Sequence, residues 1–264
     1  MQTLDEAPPS TRRDRRAPAK VKPRHRVSFF GVIGELLITA GVIVFLYVAW
    51  QMWIGDLIIG AQADAQGHTL SQEWEQQYEE VREPVAPAPA AQPVYADPPA
   101  LPQPVDAQTF GVMWIPRLGA DYSREIAGGT TRPRTLDTNR IGHYTDAAMP
   151  GEVGNFAVAA HRTTYGAPFN RLADLHVGDA IVIETAEGWF TYRFRTLEYV
   201  TPREVDVLAD VPQAPDAPPG ERYLTMTSCS PMFSLAERII GYSVFEGFTP
   251  RDAGPPASLT EAVV

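Results

Sequence analysis

The longest stretch of apolar residues lies near the start of the chain, from Val27 to Ile54, and contains a single charge, at Glu35. About 20 such residues are enough for a helix to cross the hydrocarbon core of a bilayer, so the pattern predicts a transmembrane helix over residues 27–54. Tyr47 and two tryptophans lie towards its far end, as aromatic side chains do at a membrane interface. A cleaved signal peptide is the alternative, but its apolar core spans only about 7–15 residues, which favours an uncleaved anchor.

Two segments without strong apolar patterning follow this helix. Residues 55–83 are rich in Gln, Glu and Ala, and their few large apolar residues fit helical spacing only loosely, which predicts a weak membrane-proximal helix. Residues 84–108 contain eight prolines within about 20 positions. At about 3.1 Å per residue, a polyproline-like tract of that length forms a linker of roughly 60 Å, a stalk that lifts the following domain off the bilayer.

From residue 109 to residue 248 the pattern changes to short β-like runs separated by turn residues, with no long helical periodicity. The clearest runs are residues 112–115, 155–160, 180–185, 189–195, 223–228 and 238–248. The residues from Ala186 to Gly188 are predicted to form a three-residue hairpin loop, with glycine where a positive φ is needed. The pattern predicts a mainly β domain, a barrel or a sandwich, over residues 109–248, and a disordered tail over residues 249–264.

Charge is distributed unevenly around the apolar stretch. Residues 1–26 hold eight lysines and arginines against three acidic residues, although the whole chain has a formal net charge of −10. Because basic segments stay on the cytoplasmic side of a membrane, this tail is predicted to be cytoplasmic, with a single pass through the cell membrane and everything after residue 55 extracellular. The acidic exported part offers no basic stripe, so nucleic acid is excluded as a partner.

The only cysteine of the chain, Cys229, follows one predicted strand, and Arg238 begins the next. Antiparallel pairing of these strands would bring the guanidinium beside the thiol. His161 also comes directly after a predicted strand, and an unpaired cysteine together with a histidine is a recognised candidate for nucleophilic catalysis. A cation near the thiol can stabilise both a thiolate and an oxyanion, so the three residues are candidate catalytic groups.

Each of these residues also has a simpler interpretation. An unpaired cysteine is often inert core, a loop histidine often bonds to backbone, and Arg238 has Glu237 and Glu246 as neighbours for a surface ion pair. His143 is the main rival to His161 as the functional histidine.

The chain from Gly34 to Phe248 resembles a class E sortase of the Gram-positive actinobacterial type. The segment from Thr225 to Cys229 corresponds to the sortase signature Thr-Leu-X-Thr-Cys, with Met226 for Leu and Ser228 for the second Thr. Other similar segments are Gly34-Glu35-Leu36-Leu37, Gly142-His143-Tyr144, residues 150–156, Ala160-His161-Arg162, residues 165–169, Gly178-Asp179, and Arg238 nine positions after Cys229. Ser230 departs from the family, in which histidine usually follows the cysteine.

This resemblance implies an eight-stranded β-barrel and cysteine transpeptidation. Cys229 would attack the Thr–Gly bond of a C-terminal LPXTG-like sorting signal, with LAXTG as the class E preference, and form a thioester. His161 would exchange protons with the leaving and incoming amines, and Arg238 would stabilise the oxyanion. The resemblance implies the following substrate-binding residues: His143, Tyr144, Thr227 and Ser228.

The resemblance also implies the partners of the enzyme. They would be surface proteins that bear the sorting signal, a peptidoglycan precursor amine and the lipid bilayer; no cofactor or metal is expected. Two other functions share parts of the pattern. A hydrolytic cysteine peptidase would use the same three residues with water as the acceptor, whereas a non-catalytic anchored domain that binds the cell wall would bury Cys229 in its core.

Overall fold

The structure, a computed structural model, describes residues 28–50, 54–81 and 96–260. The chain divides into two compact units at residues 46 and 47. Helix α1, Phe29–Ala49, occupies the predicted transmembrane segment, and among the described residues it is the one helix long and apolar enough to cross a membrane. It is consistent with a membrane anchor by length and composition. The basic tail of residues 1–26 lies outside the described part of the chain.

The second unit contains eight strands in a closed β-barrel, which confirms the predicted fold class. The strands are β1 (Thr109–Trp114), β2 (Ser123–Gly128), β3 (Ile141–His143), β4 (Gly154–Ala159), β5 (Ala180–Thr185), β6 (Gly188–Val200), β7 (Arg222–Ser230) and β8 (Glu237–Pro250). Around the barrel they follow the order β1-β2-β3-β4-β7-β8-β6-β5. The pairs β4–β7 and β2–β3 are parallel, and the other neighbours are antiparallel.

The barrel interior is filled by alternate residues of its strands. Phe156 and Val158 of β4, Leu224 and Met226 of β7, and Ile239 of β8 are all members of one buried apolar cluster. Because successive side chains of a strand point to opposite faces, the residues between them face the outside of the barrel. This alternation determines which side chains are available for chemistry.

Two of the eight strands were not predicted from the sequence. Strand β3 has three residues, which is too short for an alternating pattern to be recognised. Strand β2 contains a buried serine and a buried arginine, Ser123 and Arg124, at 0% and 5% exposure. Both find their polar partners on a helix outside the barrel, so the strand lacks the apolar signal of a buried strand.

That helix is α2, Gly55–Val81, a continuous helix of 27 residues that packs against β2. Its buried residues are Gly60, Ala63 and Gly67, small residues on one face of the helix. A Cβ atom at Gly67 would lie 2.8 Å from Ser123 Oγ, so glycine permits the close approach. The prediction of a weak helix overlooked this packing, because the helix docks through small residues and polar contacts instead of an apolar stripe.

Asp64 supplies the main polar contact between α2 and β2. Its Oδ1 accepts a hydrogen bond from the backbone N–H of Ser123 at 2.9 Å, and it pairs with the buried guanidinium of Arg124. The backbone carbonyl of Asp64 accepts the Ser123 hydroxyl at 2.7 Å. The backbone N–H and hydroxyl of Ser123 and the charge of Arg124 thereby find partners on α2, which makes this helix part of the barrel unit.

The described end of the proline-rich linker does not behave as a free stalk. The backbone N–H of Ala96 donates to Phe248 O at 3.0 Å, Leu101 packs against the barrel core, and Asp106 forms a bridge with Gly128. Residues 96–108 therefore lie on the barrel surface. Residues 84–95 of the predicted stalk lie outside the described residues.

The expectation of disorder from residue 249 was wrong for residues 249–260. Strand β8 continues to Pro250, and short 3₁₀ turns follow at Arg251–Ala253 and Ala257–Leu259. The reason is Arg251, which is 5% exposed and donates to Glu184 Oε1 at 3.0 Å and to Ala186 O at 3.1 Å. A buried arginine with such partners ties the segment to the barrel, and composition alone does not reveal it.

The hairpin between β5 and β6 also differs from the prediction. Thr185 pairs directly with Gly188, so the loop consists of two residues, Ala186 and Glu187. Gly188 has a φ of 145° but is the first residue of β6.

Candidate active site

Three neighbouring strands bring the three candidate catalytic residues together. Cys229 of β7 is paired directly with Arg238 of β8. On the other side of β7, the parallel strand β4 pairs Ala159 with Thr227, so His161, two residues further on, comes level with Cys229. Neighbouring strands lie about 4.8 Å apart, so the cysteine sits between the histidine and the arginine at one end of the barrel.

The three side chains also share the outer face of the barrel. The inward residues Val158, Met226 and Ile239 alternate with outward positions, and His161, Cys229 and Arg238 all fall on the outward set. Residues directly opposite each other on neighbouring strands project to the same face of a sheet. Cys229 and Arg238 form such a pair. Cys229 is a free cysteine and is half-buried rather than part of the core. This exposure favours the catalytic interpretation over inert packing.

Arg238 is held by the connection between β7 and β8. Its Nη1 donates to Glu237 O at 2.8 Å and to Leu235 O at 3.2 Å. Glu246, one of the two carboxylates considered as ion-pair partners from the sequence, instead pairs with Arg193. The guanidinium is therefore oriented by backbone carbonyls beside Cys229, and its charge is not neutralised by Glu246.

A carboxylate that the sequence did not suggest orients His161. Asp137 lies in the 3₁₀ turn Leu136–Thr138, before β3, and its Oδ1 is 2.7 Å from His161 Nε2. With Nε2–H donating to this carboxylate, Nδ1 is the nitrogen left to exchange a proton with a substrate. No local pattern marks Asp137, because it is 24 residues from His161 in sequence and lies in a polar loop.

Tyr165 covers the other side of the imidazole. Its ring stacks on the ring of His161, with centroids 5.0 Å apart and planes at 24°. The tyrosine belongs to a run of four residues with positive φ: Thr164 at 65°, Tyr165 at 50°, Gly166 at 70° and Ala167 at 42°. Non-glycine residues in this region cost on the order of 1–3 kcal/mol each and persist only where surrounding contacts hold them.

Three of the predicted substrate-binding residues form the junction of β4 and β7. Thr227 Oγ1 donates to Val158 O at 3.2 Å, and Ser228 Oγ donates to Ala160 O at 2.8 Å. The hydroxyl groups of Tyr144 and Thr227 are 3.1 Å apart and share a hydrogen bond. Thr227 and Ser228 are only 5% and 3% exposed, so their side chains are hardly more open to substrate than that of His143, and their hydroxyl groups instead join β7 to the segment that leads into His161. Tyr144 is half-buried beside them.

The prediction that His143 contacts substrate is contradicted by its burial. The side chain is fully buried, its Nε2 is 3.1 Å from Ala148 O, and its ring stacks on Phe156 with centroids 5.1 Å apart. Burial lowers the pKa of His143 below its usual value, so the ring is neutral at physiological pH. Of the two rival histidines, His161 is the one beside Cys229.

Among the residues described by the structure, no group of three or more His, Cys, Asp or Glu side chains is placed to hold a metal ion. The chemistry available at this site is that of a thiol, an imidazole oriented by a carboxylate, and a guanidinium. Such a set is suited to acyl transfer through a covalent intermediate.

Comparison with known proteins agrees with this geometry. The profile of the sortase domain matches residues 113–245. Sortase SrtE1 of Streptomyces coelicolor is 33% identical over 259 residues, which cover 96% of this chain and 67% of the relative.

Two solved structures extend this agreement to the fold. The SrtA sortase from Actinomyces oris is 36% identical with a TM-score of 0.59, covering 63% of this chain and 95% of its own. Sortase E1 from Streptomyces coelicolor, solved with a tripeptide in the active site, is 36% identical with a TM-score of 0.55, covering 59% and 99%. The barrel, the arrangement of the thiol, imidazole and guanidinium, and these similarities together show that the chain belongs to the sortase family of cysteine transpeptidases, with class E sortases among its relatives.

Proposed function

We propose that this protein is a membrane-anchored class E transpeptidase that joins surface proteins bearing an LPXTG-like sorting signal, LAXTG by preference, to a peptidoglycan amine. The observation that supports it most directly is the position of Cys229 between His161 and Arg238 on the outer face of adjacent strands. The thiol is half-buried and therefore open to substrate from outside the barrel.

In the first half of the reaction, the sulfur of Cys229 attacks the carbonyl carbon of the sorting-signal threonine. The carbonyl oxygen becomes an oxyanion, which the guanidinium of Arg238 stabilises as charge develops. The C–N bond to glycine breaks, the imidazolium of His161 gives its proton to the leaving amine, and a thioester remains on Cys229. Asp137 holds the imidazole ring through Nε2 while the proton leaves from Nδ1.

In the second half, the acceptor amine attacks the thioester carbonyl. The neutral imidazole of His161 takes a proton from the amine, the C–S bond breaks, and Cys229 leaves as a thiolate while the new amide forms. The histidine returns to its protonated state and the cycle closes with no net change in the enzyme. A hydrolytic peptidase would differ only in the acceptor, because water would use the same three side chains.

Product mass separates these two functions. Full-length protein in detergent micelles is incubated with peptides containing Leu-Ala-Glu-Thr-Gly or Leu-Pro-Glu-Thr-Gly, with and without triglycine as the amine. We expect an adduct of the threonine fragment with triglycine, formed faster from the alanine peptide. A threonine free acid as the only product, even at high amine concentration, would identify a peptidase. If both peptides stay unchanged while a purified cell-wall fraction binds the protein, the result supports the non-catalytic alternative.

Replacing Arg238 by lysine should reduce kcat/KM by about 10²-fold, although the charge is retained. The guanidinium is a planar fork whose Nη1 bonds the backbone carbonyls of Leu235 and Glu237 while its other N–H groups remain available to an oxyanion, whereas an ammonium on a flexible stem does not hold that geometry. The measurement is steady-state cleavage of the alanine peptide with triglycine. Arg203→Lys, an exposed arginine in the β6–β7 connection, is the matched control. Wild-type kinetics in Arg238→Lys would mean that this arginine has a structural role only.

In this proposal the basic tail of residues 1–26 is cytoplasmic, α1 is a single membrane pass, and the barrel is extracellular. The excess of basic residues before α1 supports this orientation. The enzyme would then meet both of its substrates, the sorting signal and the peptidoglycan precursor, at the outer surface of the cell membrane.

A further inference from the structure

We propose that Asp56, at the start of α2, positions His161 by holding the loop that stacks Tyr165 on the imidazole ring. The inference rests on the proposed function, because it assumes that His161 exchanges protons during transpeptidation. It assigns to the membrane-proximal helix a role in the geometry of the active site.

The contact itself consists of one carboxylate and two backbone N–H groups. The N–H of Thr164 donates to Asp56 Oδ2 at 2.8 Å, and the N–H of Gly166 donates to Asp56 Oδ1 at 3.3 Å. These two donors lie on either side of Tyr165, the residue that stacks on His161. One side chain of α2 therefore fixes the backbone both before and after the stacking ring.

The backbone conformation of this loop explains why an external anion is needed. Residues 164–167 all have positive φ, which threonine, tyrosine and alanine rarely adopt. Within the loop, the N–H of Ala167 donates to Thr164 O at 2.9 Å. Successive N–H groups in such a turn converge and form a concave site for an anion, and the Asp56 carboxylate occupies it. Without that anion the turn loses the contact that compensates its unfavourable φ values.

A second contact joins α2 to the opposite side of the same region. Asn139 Nδ2 donates to Ile59 O of α2 at 2.9 Å, and Asn139 lies two residues after Asp137, the carboxylate that bonds His161. A Cβ atom at Gly166 would fall 2.2 Å from Asn139 Oδ1, so the glycine allows the loop to pack directly on the asparagine. Helix α2 thus contacts both segments that orient the histidine, the one bearing Tyr165 and the one bearing Asp137.

Loss of the Asp56 carboxylate should lower the rate of the chemical steps and leave binding of the sorting peptide almost unchanged. Asp56 belongs to α2 and is placed to act on His161 only through the loop. Loss of its bonds should therefore lower kcat while KM for the sorting peptide stays close to the wild-type value. The asparagine variant retains one acceptor oxygen for two donors, so its effect should be intermediate.

The test uses full-length protein in detergent micelles and the alanine peptide with triglycine. Asp56→Ala should lower kcat about tenfold, the loss expected for hydrogen bonds to a charged group, and Asp56→Asn should lower it less. The control is Glu79→Gln, which removes a charge from an exposed position near the other end of α2 and should leave kcat unchanged. In Tyr165→Ala, adding Asp56→Ala should produce no further loss, because both substitutions remove the same stacking contact.

A spectroscopic measurement makes the test independent of turnover. In protein with ¹³C-labelled histidines, the Hε1 resonance of His161 should move in Asp56→Ala and in Tyr165→Ala, since both remove the ring current of the stacked tyrosine, and should stay in place in Glu79→Gln. Three outcomes would each overturn the inference. The first is an Asp56→Ala variant with unchanged kcat and an unchanged His161 resonance. The others are a Glu79→Gln variant that loses as much kcat as Asp56→Ala, and a double variant in which the losses of kcat add. A wild-type protein that forms no amine adduct would contradict the proposed function instead, and the resonance would still report whether Asp56 holds the loop.

Discussion

Replacing Cys229 by alanine is expected to lower turnover of the sorting peptide by more than about 10⁴-fold, because no other thiol exists in the chain to form the acyl-enzyme. In the wild-type protein without an amine acceptor, intact-protein mass spectrometry should detect the mass of the peptide fragment up to threonine, attached as a thioester. The variant should show only the unmodified mass.

Cys229→Ser is the matched variant for this prediction, since it changes one atom and keeps the half-buried side chain in place. We expect it to be nearly as inactive as the alanine variant, because a hydroxyl beside the imidazole remains a much weaker nucleophile than a thiolate. Equal thermal unfolding midpoints for the three proteins would exclude misfolding as the cause. Persistent turnover in both variants would remove Cys229 from the mechanism and favour a different enzyme class.

His161→Ala is expected to reduce kcat by about 10²–10⁴-fold, the range typical for loss of a general acid and base. The imidazole lies just beyond the end of the neighbouring strand β4, level with Cys229, and both steps of the reaction need a proton to move at the amine. The measurement is kcat with the alanine peptide and triglycine across pH 6–9. An added small imidazole should restore part of the rate, because the cavity left by the side chain lies on the outer face of the barrel.

Two further variants separate chemistry from orientation. Asp137→Asn should lower kcat about tenfold and less than His161→Ala, because the carboxylate holds the ring at Nε2 and does not contact the reacting atoms. His176→Ala, which removes an exposed histidine in the turn before β5, is the control and should leave kcat unchanged. A loss in Asp137→Asn as large as that in His161→Ala would mean that the carboxylate takes part in proton transfer itself.

Helix α2 belongs to the same structural unit as the active site. The small face of α2 and the contacts of Asp64 and Asp56 join it to β2 and to the loop beside His161. A fragment that begins at the barrel would leave Arg124, which is 5% exposed, without its carboxylate partner. Such a fragment would also lose the bonds of Asp56 to the loop beside His161, so residues 55–81 belong in any fragment used for kinetics.

The sequence and the structure agree most closely where local patterns encode the element. The strands with four or more apolar or alternating residues, β1 and β4 to β8, were recognised because alternation is a property of neighbouring residues. The pairing of Cys229 with Arg238 could be predicted for the same reason, since a short connection between consecutive strands allows antiparallel pairing. Strands β2 and β3 escaped recognition because one has polar residues inside and the other is very short.

Local patterns along the chain are enough to predict the apolar segment that forms α1, the mainly β domain, the family resemblance and the candidate catalytic residues Cys229, His161 and Arg238. The folded structure was needed to show that His143 is buried, that Asp137 and Tyr165 contact His161, that α2 docks on β2, and that residues 249–260 pack on the barrel. The physical reason is the same in each case. Hydrogen bonds, ion pairs and close contacts between small residues depend on groups that are distant in sequence, and such groups become neighbours only when the barrel closes.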